Sequence, residues 1–243
     1  MNLQENLQQL NVLKLHGMKK TYQSVMELPI DKQPAAHELL SLLLQSEIQQ
    51  RQLQKSELLS KMAKLRYKAS LDQIKCGPER NLNLESIQLL ADTFFIKKTE
   101  NILITGATGS GKSYLACAIG NQACIHGHKT LYLNMNRFIE KIAQSRLDGS
   151  FIRLLNQIEK VKLLILDDFG LQPMNQDTKI ALLQILEDRY QLRSTIIASQ
   201  LPVNLWFDYL NEPTLADAIM DRLTENAHRF ELKGDSLRKK KLD

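Results

Sequence analysis

Eight residues constrain this chain more than any others: Gly106-Ala107-Thr108-Gly109-Ser110-Gly111-Lys112-Ser113. They follow the apolar run Asn101-Ile-Leu-Ile-Thr105 and open into Tyr114-Leu-Ala-Cys-Ala-Ile-Gly120, which has helical character. Strand, glycine-rich turn, Lys-Ser and helix form the pattern that cradles nucleotide phosphates. Glycines let the backbone wrap closely, so that successive N–H groups point inward as an anion nest. The helix that follows adds the positive end of its dipole. Lys112 is placed to reach the β- and γ-phosphates of ATP, and the Ser113 hydroxyl to ligate Mg²⁺.

From residue 101 onward, short apolar segments alternate with helical ones. Strands are expected at 101–105, 130–133, 162–167, 194–199 and 228–232. Helices are expected near 111–126, 136–147, 150–159, 175–191 and 214–226. This alternation predicts an α/β fold with a buried central parallel sheet and ligands at the carboxyl ends of its strands. The third strand, Leu163-Leu-Ile-Leu, ends in Asp167-Asp168. A buried strand carrying two acids at its carboxyl edge sets them beside the phosphate turn. Asp167 suits a Mg²⁺-holding role, and Asp168 stands where a water-positioning base is needed. Ser199-Gln200 ends the fourth strand, and Gln200 fits a sensor of the γ-phosphate or the attacking water. Arg222, near the end of an amphipathic helix, fits an arginine that crosses to the phosphate of a neighbouring subunit.

The first 75 residues read as a separate helical domain. Leu3, Leu7, Leu10, Leu13 and Leu15 roughly share one face, and His16-Gly17 is expected to end or bend that helix. A second helix is expected over Lys19–Glu27, and a third after Pro34 that runs to Arg51 or beyond. Residues 51–80 hold eight Lys/Arg against three acids. Tyr67 sits among Lys64, Arg66 and Lys68, and with Lys61 these read either as a solvated helix face or as candidate contacts to the phosphates of duplex DNA. Such phosphate contacts position a protein without reading sequence. Cys76-Gly77-Pro78 reads as a breaker, and residues 76–100 as a linker with an adenine-side helix capped by Asn83. Arg80-Asn81-Leu82 and Phe94-Phe95 are candidates for the adenine wall. The domain from 101 to 243 carries the nucleotide chemistry.

The overall charge of +5 is mild. Cys76, Cys117 and Cys124 form neither a metal pattern nor a disulfide framework, and Cys117 and Cys124 are expected to face the core. No apolar run is long enough for a membrane span, and the N-terminus lacks a signal pattern, so a cytoplasmic protein with no membrane partner is expected. Only 11 residues follow the last strand, too few for a helical lid domain. The basic Ser236-Leu237-Arg238-Lys239-Lys240-Lys241 closes the chain.

Together these residues resemble the AAA+ family of P-loop NTPases, and within it the IstB-like and DnaC-like ATPases. The likeness rests on the cradle, on Leu163–Gly170, Asp188-Arg-Tyr190, Arg193-Ser-Thr195, Ser199-Gln-Leu-Pro-Val203, Asp217–Leu223, Asn226–Arg229 and Leu232–Arg238. Leu13–Met18 resembles that group's opening helix. The resemblance implies a three-layer sandwich preceded by a small all-α domain and lacking a C-terminal lid. It also implies a transposition helper that binds DNA with little sequence preference and assembles on it with ATP. The helper would then deliver the target to a partner transposase, which stimulates hydrolysis. In that case Lys112, Ser113, Asp167, Asp168 and Arg222 take the roles argued above. Gln200 departs from the Asn common in AAA+ proteins but fits the Ser-Gln-Leu-Pro of the IstB-like group. Three other readings compete: a DnaC-like helicase loader, a small-metabolite kinase, and a DNA-binding module that does not hydrolyse ATP.

Overall fold

The computed structural model describes residues 2–237. The chain divides into two compact units, Met1–Leu58 and Leu59–Asp243.

The first unit is built from α1 (Leu3–Val12), α2 (His16–Met26) and most of α3 (Ala36–Ala63). His16-Gly17, expected to close the first helix, instead opens the second. The physical reason lies in the crossing of α2 and α3. A Cβ on Gly17 would collide with the Ser46 carbonyl and lie 2.7 Å from the Glu47 Cα. Glycine marks a close approach here, not a break. Glu47 is buried and accepts the backbone N–H of Gly17 at 2.8 Å and of Met18 at 3.3 Å. It thereby satisfies donors that the first turn of α2 would otherwise leave open.

The second unit is built on five parallel strands: β1 (Asn101–Gly106), β2 (Thr130–Asn134), β3 (Leu163–Phe169), β4 (Ser194–Ser199) and β5 (Ala227–Leu232). Among the described residues their order across the sheet is β2-β3-β4-β1-β5. Side chains alternate between the two faces. Ile102, Ile104, Ile165 and Ile196 pack with Ile87 of α4 (Leu84–Ala91), Phe95 of α5 (Phe94–Lys97) and α6 (Lys112–Ile125). Leu103, Leu164, Leu166 and Ile197 pack on the other face. That face is covered by α7 (Met135–Leu147), α8 (Phe151–Glu159), α9 (Gln176–Arg189), α10 (Trp206–Leu210) and α11 (Pro213–Thr224). Both faces are covered, which is why the strands read as unbroken apolar runs. Cys117 and Cys124 are fully buried on α6, and burial pushes both thiols up.

Two local departures from the expected elements bear on the site. Gly77 and Leu82 form an isolated antiparallel bridge, so Cys76-Gly77-Pro78 belongs to a tight ordered turn that presents Arg80. In β3 the pairing with β4 shifts between Leu166 and Phe169, at Asp168, which has a φ of 61°.

Candidate nucleotide-binding site

The cradle leaves the carboxyl end of β1. Gly109 and Gly111 have φ values of +83° and +95°, a region where side chains are strained. Their conformation turns the loop so that α6 begins at Lys112. The Lys112 ammonium donates to the Ala107 carbonyl at 2.8 Å and is almost wholly buried beneath the loop. The Ser110 hydroxyl is buried with no hydrogen-bond partner among the described residues. A buried orphan in this nest fits a phosphate oxygen as its partner. Arg80 is buried against the same loop, and its guanidinium donates to the Ser110 carbonyl. Leu237 crosses above, its N–H donating to the Gly109 carbonyl at 3.1 Å.

Asp167-Asp168 was expected beside the turn of β1, but β4 lies between β3 and β1. Side chains at the carboxyl edge span the gap. The Ser113 hydroxyl donates to Asp167 Oδ1 at 3.0 Å, and the Tyr132 hydroxyl donates to Asp167 Oδ2 at 2.6 Å. Burial and the Asp167 carboxylate push the Tyr132 hydroxyl up, so it stays a donor. Ser113 and Asp167 offer Mg²⁺ two hard oxygens, the sparse protein set that this ion completes with phosphates and water.

Asp168 is held differently. Asn134, at the end of β2, donates to its Oδ2 at 2.5 Å, and Arg66 lies 3.4 Å from the same oxygen. Arg66 is also 4.0 Å from Asp167 Oδ2. In a regular strand, neighbours point to opposite faces. Here both acids face one guanidinium, because the irregularity at Asp168 breaks the alternation. The interposed β4 delivers Gln200 to the cradle, where its Oε1 accepts from the Thr108 hydroxyl at 2.7 Å. Buried Ser199 braces that turn by donating to the Phe169 carbonyl at 2.6 Å and accepting the Leu201 N–H at 3.0 Å.

Gly106–Ser113, Asp167, Asp168 and Gln200 therefore converge. Arg222 does not join them. Its carbonyl accepts from the Asn101 side chain at 2.8 Å, at the amino end of β1, and its guanidinium pairs with Glu187 at 2.6 Å and Asp221 at 3.3 Å. At about 3.3 Å of rise per residue, the length of β1 separates Arg222 from its own cradle. Of the adenine-wall candidates, Arg80 reaches the cradle. Phe94-Phe95 lies at the opposite edge, where the Phe95 carbonyl accepts from Ser194 at the start of β4. Lys61, Lys64 and Lys68 are exposed. Arg238 and Lys239–Lys241 lie outside the described residues. Asn134, Tyr132 and the contact of Arg66 with the acids are not visible from motif spacing. The one signal is that Asn134 directly follows an expected strand, 130–133, as Asp168 follows the one that ends at Asp167.

A five-stranded parallel sheet in the order β2-β3-β4-β1-β5, with a P-loop after β1 and an acid pair near the carboxyl end of β3, is the fold of the AAA+ class of P-loop nucleotide-binding proteins. Solved structures share this fold. One is DnaI, at a TM-score of 0.60 and 23% identity, with 68% of this chain and 92% of that one covered. Another is AMPPCP-bound DnaA from Aquifex aeolicus, at 0.59 and 23%, with 71% of this chain and 52% of that one covered. Within the class, the chain belongs to the IstB-like ATP-binding family, which matches residues 8–243. It is 42% identical over 233 residues to y4pL of Sinorhizobium fredii, a relative named for an insertion sequence and for ATP binding. That match covers 96% of this chain and 95% of the relative. The ATP-binding protein of insertion sequence IS21 in Pseudomonas aeruginosa is 29% identical, with 95% and 87% covered.

Proposed function

We propose that this protein is the Mg²⁺-dependent ATPase of an insertion sequence. In this reading it assembles on target duplex DNA with ATP and hands that DNA to the element's transposase. The observation that carries the ATPase reading is the convergence of Ser113, Asp167, Asp168 and Gln200 on one cradle. The link to an insertion sequence is supported by family membership and by the names of its relatives.

The geometry of the site supports the following chemistry. The cradle amides and Lys112 bind the β- and γ-phosphates and fix their orientation. Ser113 and Asp167 would hold Mg²⁺, which when bound neutralises phosphate charge. Asp168 orients a water in line with the γ-phosphorus and accepts its proton as the bond to the β–γ bridging oxygen breaks and ADP leaves. Gln200 donates to the γ-phosphate or to that water. Arg222 from a neighbouring copy neutralises the charge that develops in the transition state. Lys61, Lys64, Arg66 and Lys68 contact DNA phosphates, which gives affinity with little sequence preference. The helical domain over 1–75 serves DNA and partner, 76–100 forms the linker and adenine side, and 101–243 forms the ATPase domain. A cytoplasmic location suits these tasks, and among the described residues no helix is long and apolar enough to cross a membrane.

Phosphate release from ATP, measured with and without duplex DNA, tests this reading. Release is expected to be stimulated by DNA, to require Mg²⁺ and to vanish in Lys112→Ala. Sedimentation is expected to show larger assemblies on DNA with ATP, weakening as salt rises. A protein that stays monomeric with both ligands and releases no phosphate sinks the proposal.

A further inference from the structure

Arg66 is the least expected member of the site. It lies outside the cradle and the sheet, in the irregular segment that follows α3, flanked by exposed Lys64 and Lys68. Its guanidinium meets Asp168 through one nitrogen at 3.4 Å and stays 4.0 Å from Asp167. Its side chain is 42% exposed, and the ring of Tyr67 lies 5.4 Å away. Asp168 Oδ2 is therefore held twice, by Asn134 and by Arg66. An oxygen that already accepts from both is poorly free to accept from an attacking water.

We propose that Arg66 is a positioning residue that couples DNA to ATP hydrolysis: it restrains Asp168 until a DNA phosphate draws its guanidinium away. This rests on the proposed function, in which Asp168 orients the attacking water and Lys61, Lys64 and Lys68 meet DNA. Three features favour the exchange. The contact with Asp168 is single and half-exposed, and such ion pairs are weak and screened by salt. A phosphate can instead engage the guanidinium fork through two parallel bonds. The flanking lysines bring phosphates to this segment, so that local phosphate concentration rises when DNA binds. No bond is made or broken at Arg66. Its departure leaves Asp168 with Asn134 alone, and one more lone pair faces the water.

The test compares wild type, Arg66→Ala and Arg66→Lys in the full chain. It reads DNA-free and DNA-stimulated phosphate release, the affinity for a fluorescent ATP analogue, and the salt dependence of the DNA-free rate. Arg66→Ala is expected to raise the DNA-free rate to within about twofold of the DNA-stimulated wild-type rate and to abolish most of the stimulation, with nucleotide affinity unchanged. Arg66→Lys keeps the charge and is expected to restore a low DNA-free rate. The wild-type DNA-free rate is expected to rise with salt as the pair is screened, while that of Arg66→Ala stays flat. A merely structural arginine would not give that salt signature. The inference is overturned if Arg66→Ala slows both rates, or if it leaves the stimulation ratio unchanged. Either result, with wild type still stimulated by DNA, leaves the proposed function standing. A wild type that releases phosphate without any response to DNA removes the proposed DNA coupling and this inference with it.

Discussion

Asp168 shows how one backbone angle decides what a residue can do. Its φ of 61° lies in the left-handed region, which a short polar side chain such as Asp tolerates better than most. That angle turns its carboxylate to the side where Asp167 already stands, yet the two acids keep different partners. Asp167 is fully buried and tied to Ser113 and Tyr132, whereas Asp168 is partly exposed and tied to Asn134 and Arg66. Asp168→Asn keeps the size and can keep the hydrogen bond from Asn134, but it removes the charge that accepts a proton in the proposed function. It is expected to cut DNA-stimulated turnover about a hundredfold or more while sparing ATP binding. Parallel measurements of phosphate release and of fluorescent-nucleotide affinity check this. Turnover within a few-fold of wild type would move the base to another group.

At the scale of elements, the crossing of α2 and α3 has a test of its own. Burial works against ionisation of Glu47, but Arg51 and the amides of Met18 and Gly17 outweigh it and hold the carboxyl below its ordinary value. A carboxyl lowered in the folded state stabilises the fold above its unfolded pKa and loses that contribution as pH falls through the folded value. Glu47→Ala leaves two amides of the first turn of α2 without their acceptor, a cost of about 1–3 kcal/mol. Thermal melts are expected to show that loss near neutral pH and a smaller difference from wild type in acid. An identical difference at both pH values would assign the effect to packing alone. The same crossing shows where the sequence stops being legible. Gly17 looks like a breaker in a linear pattern, and only a second helix resting on it reveals a contact. The strands were legible because burial on both faces makes them uniformly apolar, and the cradle because its glycines are dictated by backbone angles. The contacts of Asn134 and Tyr132 were hidden because they follow from strand order, and that of Arg66 with Asp168 because it follows from the path of the chain after α3. Nothing local in the sequence places β4 between β3 and β1, or brings residue 66 to residue 168. Arg189 was hidden for the same reason. It is fully buried and has no acid as a partner among the described residues; it donates to the carbonyls of Ile158, Val161 and Ser194, and burial pulls its guanidinium down to about 9.

The position of Arg222 bears on the proposed assembly. Its backbone is anchored by Asn101 at the amino end of β1, while the cradle leaves the carboxyl end at Gly106. A side chain cannot cross that length, about 16 Å at 3.3 Å per residue. If Arg222 serves catalysis, it serves the site of another copy, and its pair with Glu187 must open when that copy docks. Such contacts are head-to-tail, with the cradle face of one copy meeting the Arg222 face of the next. Lys112→Ala destroys the cradle but leaves the arginine, and Arg222→Ala does the reverse, so each variant alone is expected to be nearly inactive. Mixed in equal amounts and assembled on DNA with ATP, a random series places an intact cradle against an intact arginine at about a quarter of its interfaces. Phosphate release is therefore expected to recover to about a quarter of the wild-type rate, and to grow with total protein at fixed DNA as assemblies lengthen. A mixture no more active than the two variants measured separately would mean that each chain completes its own site, and Arg222 would revert to a surface ion pair with Glu187.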